Sequence, residues 1–383
     1  MAAEKKFRPL SLQFLTVAIC FFMTGLTTAS AADMDKALSE CAGIEKADDR
    51  LACFDRLTLP FKKEAPPDIQ KTKAAESRGQ DQITVLERHW DLKVENRKHA
   101  FILRPYRMNY FLPVAYNSSP NDEMNLEYDP AAKAQFNEAK FQLSFKVKVC
   151  EDLLQKQLRG LYDKNIGIKG IDIWVAYTQF SFWQLYNSAF SAPFRDTNYE
   201  PEALINFRSQ VEIPGLMGTK LQYFNIGFNH QSNGRSRPLS RSWNRIVGNI
   251  GLEKGDFNIQ LKTWYRLPED EAEDDNSDVI RFMGYGELWM TYFWEKQRFA
   301  LMLRNNLRQN NLGAVQLDWS IPPYTLGKLL QQSGVISQAT LDNYFSDKFS
   351  LYVQYFNGYG EGLMDYNKSI NRISAGVMLA EWN

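Results

Sequence analysis

His230, Ser232 and Asn244 are polar residues at positions where a strand pattern would otherwise continue with apolar ones. Phe224, Ile226, Phe228, His230 and Ser232 occupy alternate positions, opposed by Tyr223, Asn225, Gly227, Asn229 and Gln231. A period of two marks a strand with one apolar and one polar surface, so His230 and Ser232 leave the same face. After a polar loop containing Pro238, a second strand begins near Ser242, with Asn244, Ile246, Gly248, Ile250 and Leu252 on its even positions. Three polar groups therefore close the apolar faces of two consecutive strands at one loop end. Polar groups on a surface made for apolar surroundings are costly and point to chemistry before packing. A hydroxyl nucleophile, an imidazole base and an amide that orients the base are the parts of a hydrolytic triad. An amide suits that place, because it accepts the ring N–H bond without a carboxylate's desolvation cost. Of the chain's three histidines, His89 falls in or near a linker and His99 at the entry to the strand-rich region. Only His230 has a serine on its own face.

The elements that must hold these groups recur from about residue 98 onward. Val315, Leu317, Trp319 and Ile321 oppose Gln316, Asp318 and Ser320, and Phe349, Leu351, Val353 and Tyr355 follow the same rule. Leu288, Met290, Tyr292 and Trp294 share a face, as do Ile373, Ala375, Val377 and Leu379. Aromatic content is 14%, yet mean hydropathy is −0.42. That combination fits an outer-membrane barrel, in which only alternate residues meet lipid. A helical membrane protein would need runs of about 20 apolar residues, and none follows the N-terminal segment. A soluble β-sandwich also alternates, but rarely carries so many Trp and Tyr at strand ends. About 285 residues at roughly 22 to 25 per strand and connection predicts an all-β, transmembrane antiparallel barrel of about 12 strands. Forty-five basic and 45 acidic residues balance to zero net charge, which argues against a nucleic-acid partner.

Lys5, Lys6 and Arg8, the apolar stretch from Leu10 to Leu26 and the small residues Ala29-Ser30-Ala31 predict a signal peptide over 1–31. Residues 32–95 are expected to lie in the periplasm. They comprise a helical segment whose Cys41 and Cys53 should pair in an oxidising compartment. A linker rich in Lys, Glu, Pro and Gln then runs from Phe61 to about Thr84. The barrel would occupy 96–383, with its N-terminus in the periplasm. Cys150 reads as an inert side chain at a strand end, Glu269–Asp275 as a solvated outer loop, and Tyr324–Asn343 as a helical insertion.

The run Tyr223-Phe224-Asn225-Ile226-Gly227-Phe228-Asn229-His230-Gln231-Ser232-Asn233-Gly234, followed by Ser240-Arg241-Ser242-Trp243-Asn244-Arg245, resembles the signature of the outer-membrane phospholipase A family. Tyr177-Thr178-Gln179, Trp183-Gln184-Leu185, Pro193-Phe194-Arg195, Asn198-Tyr199-Glu200-Pro201 and Gly358-Tyr359-Gly360-Glu361 match it as well. The resemblance implies Ser232 as nucleophile, His230 as base and Asn244 as its orienting group. It implies a calcium-dependent enzyme that hydrolyses acyl esters of phospholipids and lysophospholipids, a monomer at rest and a homodimer when active. The Arg235 carbonyl and Ser240 hydroxyl of one subunit, with Ser191 of the other, would hold the calcium, and Gln179 would lie in the dimer interface. A second calcium site would use Asp275, but Arg237 stands where relatives can carry an acid. The competing class is a porin or scaffold that keeps the pattern without turnover.

Overall fold

The computed structural model describes residues 84–379 apart from 94–96, 122–133, 154–166 and 217, together with Glu40, Cys41, Gly43, Ile44, Lys46, Arg50 and Cys53. The expected signal peptide and the linker up to residue 83 lie outside the described residues. Two compact units divide the chain, 1–82 and 83–383. In the first, Cys41 and Cys53 form a disulfide. Cys150 is a free thiol at the end of a strand.

In the second unit the alternating segments become strands: β1 (Leu103–Pro105), β2 (Tyr110–Asn117), β3 (Asn137–Cys150), β4 (Gly170–Trp183), β5 (Phe194–Glu212), β6 (Lys220–Ser232) and β7 (Ser242–Lys254). They continue with β8 (Phe257–Arg266), β9 (Gly286–Trp294), β10 (Gln297–Asn305), β11 (Gly313–Ile321), β12 (Phe349–Gly358) and β13 (Ile370–Leu379). Every strand from β2 to β13 pairs antiparallel with the next, and β13 pairs back onto β2. Strand β1 pairs with β3 along the edge that β2 also uses. The two are halves of one stave, so the barrel closes with twelve.

Alternation sorts the side chains. Outward, Ile226, Ile246, Ile250, Leu261, Leu303, Val315, Leu317 and Ile373 stay exposed. Inward, charged groups are buried and most of them are paired. Glu138 on β3 receives Arg195 Nε from β5 at 2.6 Å and Arg372 Nη1 from β13 at 2.9 Å. Glu200 and Glu202 gather Arg107, Arg245 and Lys262. Charges out of water persist only when paired and hydrogen-bonded, so these pairs tie distant staves across a filled lumen. Among the described residues no helix is long and apolar enough to cross a membrane.

At one end, two-residue turns join β7 to β8 and β9 to β10; the other end carries the longer loops 184–193, 233–241, 267–285 and 359–369. The expected helical insertion is present between β11 and β12, as two helices, Pro323–Gln332 and Gln338–Tyr344. The boundary expected at 95 falls instead near 83, and His89 is not a linker residue. Helix α1 (Val85–Trp90) lies against inward side chains of the barrel. Thr84 and Glu87 form a capping box, and Glu253 of β7 accepts from Thr84 Oγ1 and from Leu86 N. Trp90 packs on Trp174 and Tyr223, with Lys146 Nζ 3.4 Å from its ring centre. Six helical residues are too few to show a period against a polar linker, which is why composition alone misplaced them.

Candidate active site

Antiparallel register sets His230 of β6 directly opposite Asn244 of β7, and Ser232 opposite Ser242. His230, Ser232 and Asn244 are half-buried, while Gln231, Trp243 and Arg245 between them are buried inward. The trio therefore continues the outward face of Ile226, which is 50% exposed. His230 Nδ1 and Asn244 Oδ1 lie 2.9 Å apart, within hydrogen-bond reach. No hydrogen bond joins Ser232 Oγ to the imidazole among the described residues; such bonds often form only once substrate is bound.

The loop after β6 is built on Asn233, whose side chain is buried. Its Nδ2 donates to Leu239 O at 2.8 Å, and its Oδ1 accepts from Arg241 N at 3.0 Å and Arg235 N at 3.3 Å. Gly234 has φ +65, and a Cβ there would sit 2.9 Å from the Tyr199 ring, so glycine is required on both counts. Arg235 Nη2 donates to Phe194 O and Arg195 O, which anchors the loop to β5. Arg235 and Ser240 thus belong to one braced loop next to Ser232. Ser191 lies on a different loop, exposed, following the 3₁₀ turn Ser188–Phe190 with a left-handed φ of 57. Gln179 is half-buried on the outward face of β4 and accepts from Tyr177 OH at 3.2 Å.

The acidic stretch is solvated in its middle, where Asp270, Glu271 and Glu273 are exposed, but its ends are tied to the barrel. Asp274 pairs with Arg266 at 2.6 Å, and Glu269 accepts from Asn244 Nδ2 at 3.1 Å. Asn276, buried, accepts from Ser242 N at 3.2 Å. Asp275 is paired with Arg237 Nε at 2.8 Å, so a guanidinium already neutralises it. A metal ion there would compete with that guanidinium for the carboxylate. Among the described residues no cluster of three or more His, Cys, Asp or Glu could hold a metal. The Arg235 carbonyl and Ser240 hydroxyl are hard, neutral oxygens that suit calcium if waters and a second chain complete the shell. Glu269 and Asn276 were missed in the sequence because the first lies in, and the second directly after, a run that reads as acidic loop.

The Phospholipase A1 family model matches residues 86–379, from within the luminal helix to the last strand. The chain belongs to the phospholipase A1 family. The putative phospholipase A1 of Neisseria meningitidis serogroup B is 31% identical over 93% of this chain and 94% of that protein. Phospholipase A1 of Escherichia coli K12 is 33% identical over 75% of this chain and 84% of the relative. Among solved structures, the outer membrane phospholipase A of Escherichia coli superposes with a TM-score of 0.59 at 31% identity, covering 72% of this chain and 94% of that one. The Salmonella typhi outer membrane phospholipase, a dimer with bound calcium, gives 0.61 at 30% identity, covering 78% and 98%. With its family established, the twelve-strand barrel is that of an outer-membrane phospholipase family.

Proposed function

We propose that this chain is an outer-membrane phospholipase that hydrolyses acyl esters of phospholipids and lysophospholipids with Ser232, His230 and Asn244. The observation that carries this reading is the His230–Asn244 contact at 2.9 Å on the outward, lipid-side face. Ser232 Oγ gives its proton to His230 Nε2 and attacks the ester carbonyl carbon. His230 then returns that proton to the departing glycerol oxygen, leaving an acyl group on Ser232. Water, deprotonated by the same imidazole, releases the fatty acid and restores the serine. Asn244 Oδ1 accepts a hydrogen bond from His230 Nδ1–H throughout and holds the orientation of the ring.

The Arg235 carbonyl and Ser240 hydroxyl would hold calcium, with Ser191 of a second copy. Bound there, calcium would supply positive charge near the carbonyl oxygen on which negative charge develops. The Ser232 backbone N–H would donate to that oxygen. A lipid-facing amide calls for a partner, and Gln179 of a second copy would provide one. Dimerisation would then assemble both the metal site and the acyl-chain groove, so a resting monomer would be silent. An exported precursor with a leader over 1–31 and a periplasmic N-terminal segment belongs to the same reading.

Fatty-acid release from phospholipid–detergent micelles tests it. Activity should fall on dilution of the protein and on chelation with EDTA, and calcium should restore it. Hydrolysis indifferent to both would refute the dimer and calcium parts together.

A further inference from the structure

Asn244 is gripped from both sides of its amide. Oδ1 lies 2.9 Å from His230 Nδ1, and Nδ2 donates to Glu269 Oε1 at 3.1 Å. A carboxylate accepts hydrogen bonds and cannot donate them. The amide nitrogen must therefore face Glu269, and the carbonyl oxygen must face the ring. An acceptor opposite Nδ1 leaves the ring proton on Nδ1 and the lone pair on Nε2, the tautomer that can take a proton from a serine. Asparagine alone carries no such preference, since its two ends are nearly the same shape. Turned over, it would present N–H groups to Nδ1, move the ring proton to Nε2 and leave no base.

We propose that Glu269 is a positioning residue for the hydrolytic reaction. It locks the Asn244 amide in the productive orientation and sets its negative charge one amide away from the imidazolium formed in the transition state. The local sequence explains how it gets there. Leu267 N donates to Asn244 O at 2.8 Å and extends the pairing of β8 one residue past Arg266. Pro268 has no N–H with which to continue the ladder, and Glu269, half-buried, is the next residue. A carboxylate directly against the ring would lie on the lipid side of the wall. Here it stands at the loop end, with a neutral amide carrying its influence to the base.

The inference rests on the triad reading above, and its test separates the two. Hydrolysis of phosphatidylcholine in detergent micelles, with saturating calcium, is followed for wild type, Glu269→Ala, Glu269→Gln, Asn244→Ala, Ser232→Ala and the double variant Asn244→Ala/Glu269→Ala. Each is compared as folded barrel, verified by its mobility before and after heating. Glu269→Ala should lower kcat about 10-fold, the size of one hydrogen bond to a charged group, with KM within about twofold. Glu269→Gln, which can still accept the bond but lacks the charge, should recover part of that loss. In the Asn244→Ala background, removing Glu269 should cost clearly less than in wild type, because the amide it orients is gone and only its charge still acts on the ring. A Glu269→Ala enzyme with wild-type kcat, a loss confined to KM, or the same factor lost with and without Asn244 overturns the role of Glu269 while the triad stands. If Asn244→Ala turns over like wild type, or Ser232→Ala remains active, the triad reading falls and this inference with it.

Discussion

The two faces of the same twelve strands obey opposite rules for polar groups. Inside, full charges are buried in pairs: Glu138 between Arg195 and Arg372, and Glu200 and Glu202 among Arg107, Arg245 and Lys262. Outside, the groups proposed for function are uncharged types or imidazole and few, namely Ser232, His230, Asn244 and Gln179. The difference follows from what each face meets. A filled lumen can offer most charges a partner, so ionic groups survive there as cross-ties between staves. A hydrocarbon-facing wall can offer none, so chemistry on it must be run with neutral side chains. Where the outer site borrows a charge, from Glu269, it does so through an amide and at the loop end.

Substitutions on the two faces should therefore fail in different currencies. Ser232→Ala should abolish fatty-acid release, by at least about 10³-fold, while leaving the melting temperature of the folded barrel within about 2 °C of wild type. A comparable loss of stability would mean that the serine is a packing residue. Glu138→Ala should do the reverse. It takes one of two carboxylate partners from each of two buried guanidinium groups, leaving Arg195 with Asp365 and Arg372 with Glu361, and should cost about 3 kcal/mol in denaturant unfolding, with kcat per folded molecule unchanged. Asn244→Ala should lower kcat about 10- to 100-fold, short of the serine variant, because the base remains but its orientation is lost. Equal losses in the two variants, measured on micellar phospholipid, would argue against an orienting role. The smallest effect belongs to Arg237→Ala. Its ion pair with Asp275 has an arginine side chain that is 57% exposed, and such pairs contribute less than about 1 kcal/mol. A larger shift in the unfolding midpoint would show that this pair clasps the two loops.

Much of this was legible in the residues. Alternation from Phe224 to Ser232 needs only neighbours in sequence, so the outward face and the shared side of His230 and Ser232 could be read from it, while the number of staves came from chain length at roughly 22 to 25 residues per strand and connection. Register required one further step, the turn length between β6 and β7, and it brought Asn244 opposite His230. What could not be read depends on partners far along the chain. Glu138 and Arg372 are 234 positions apart, and nothing local to either announces the other. Glu269 was hidden by its surroundings, since a carboxylate in an acidic run looks solvated until a fold sets an amide beside it. The luminal helix left a signal that composition obscured: Thr84-Val85-Leu86-Glu87 has the spacing of a capping box, and Trp90 follows at the end of the same short helix. Its partners Trp174 and Tyr223 are contributed by β4 and β6.

The most direct measurement is the release of fatty acid from phospholipid micelles by wild type and Ser232→Ala, each with calcium and with EDTA. A calcium-requiring activity in the wild type and none in the variant is the expected result. Undiminished hydrolysis by Ser232→Ala would contradict an outward-facing serine triad, whatever the likeness of the barrel to its relatives.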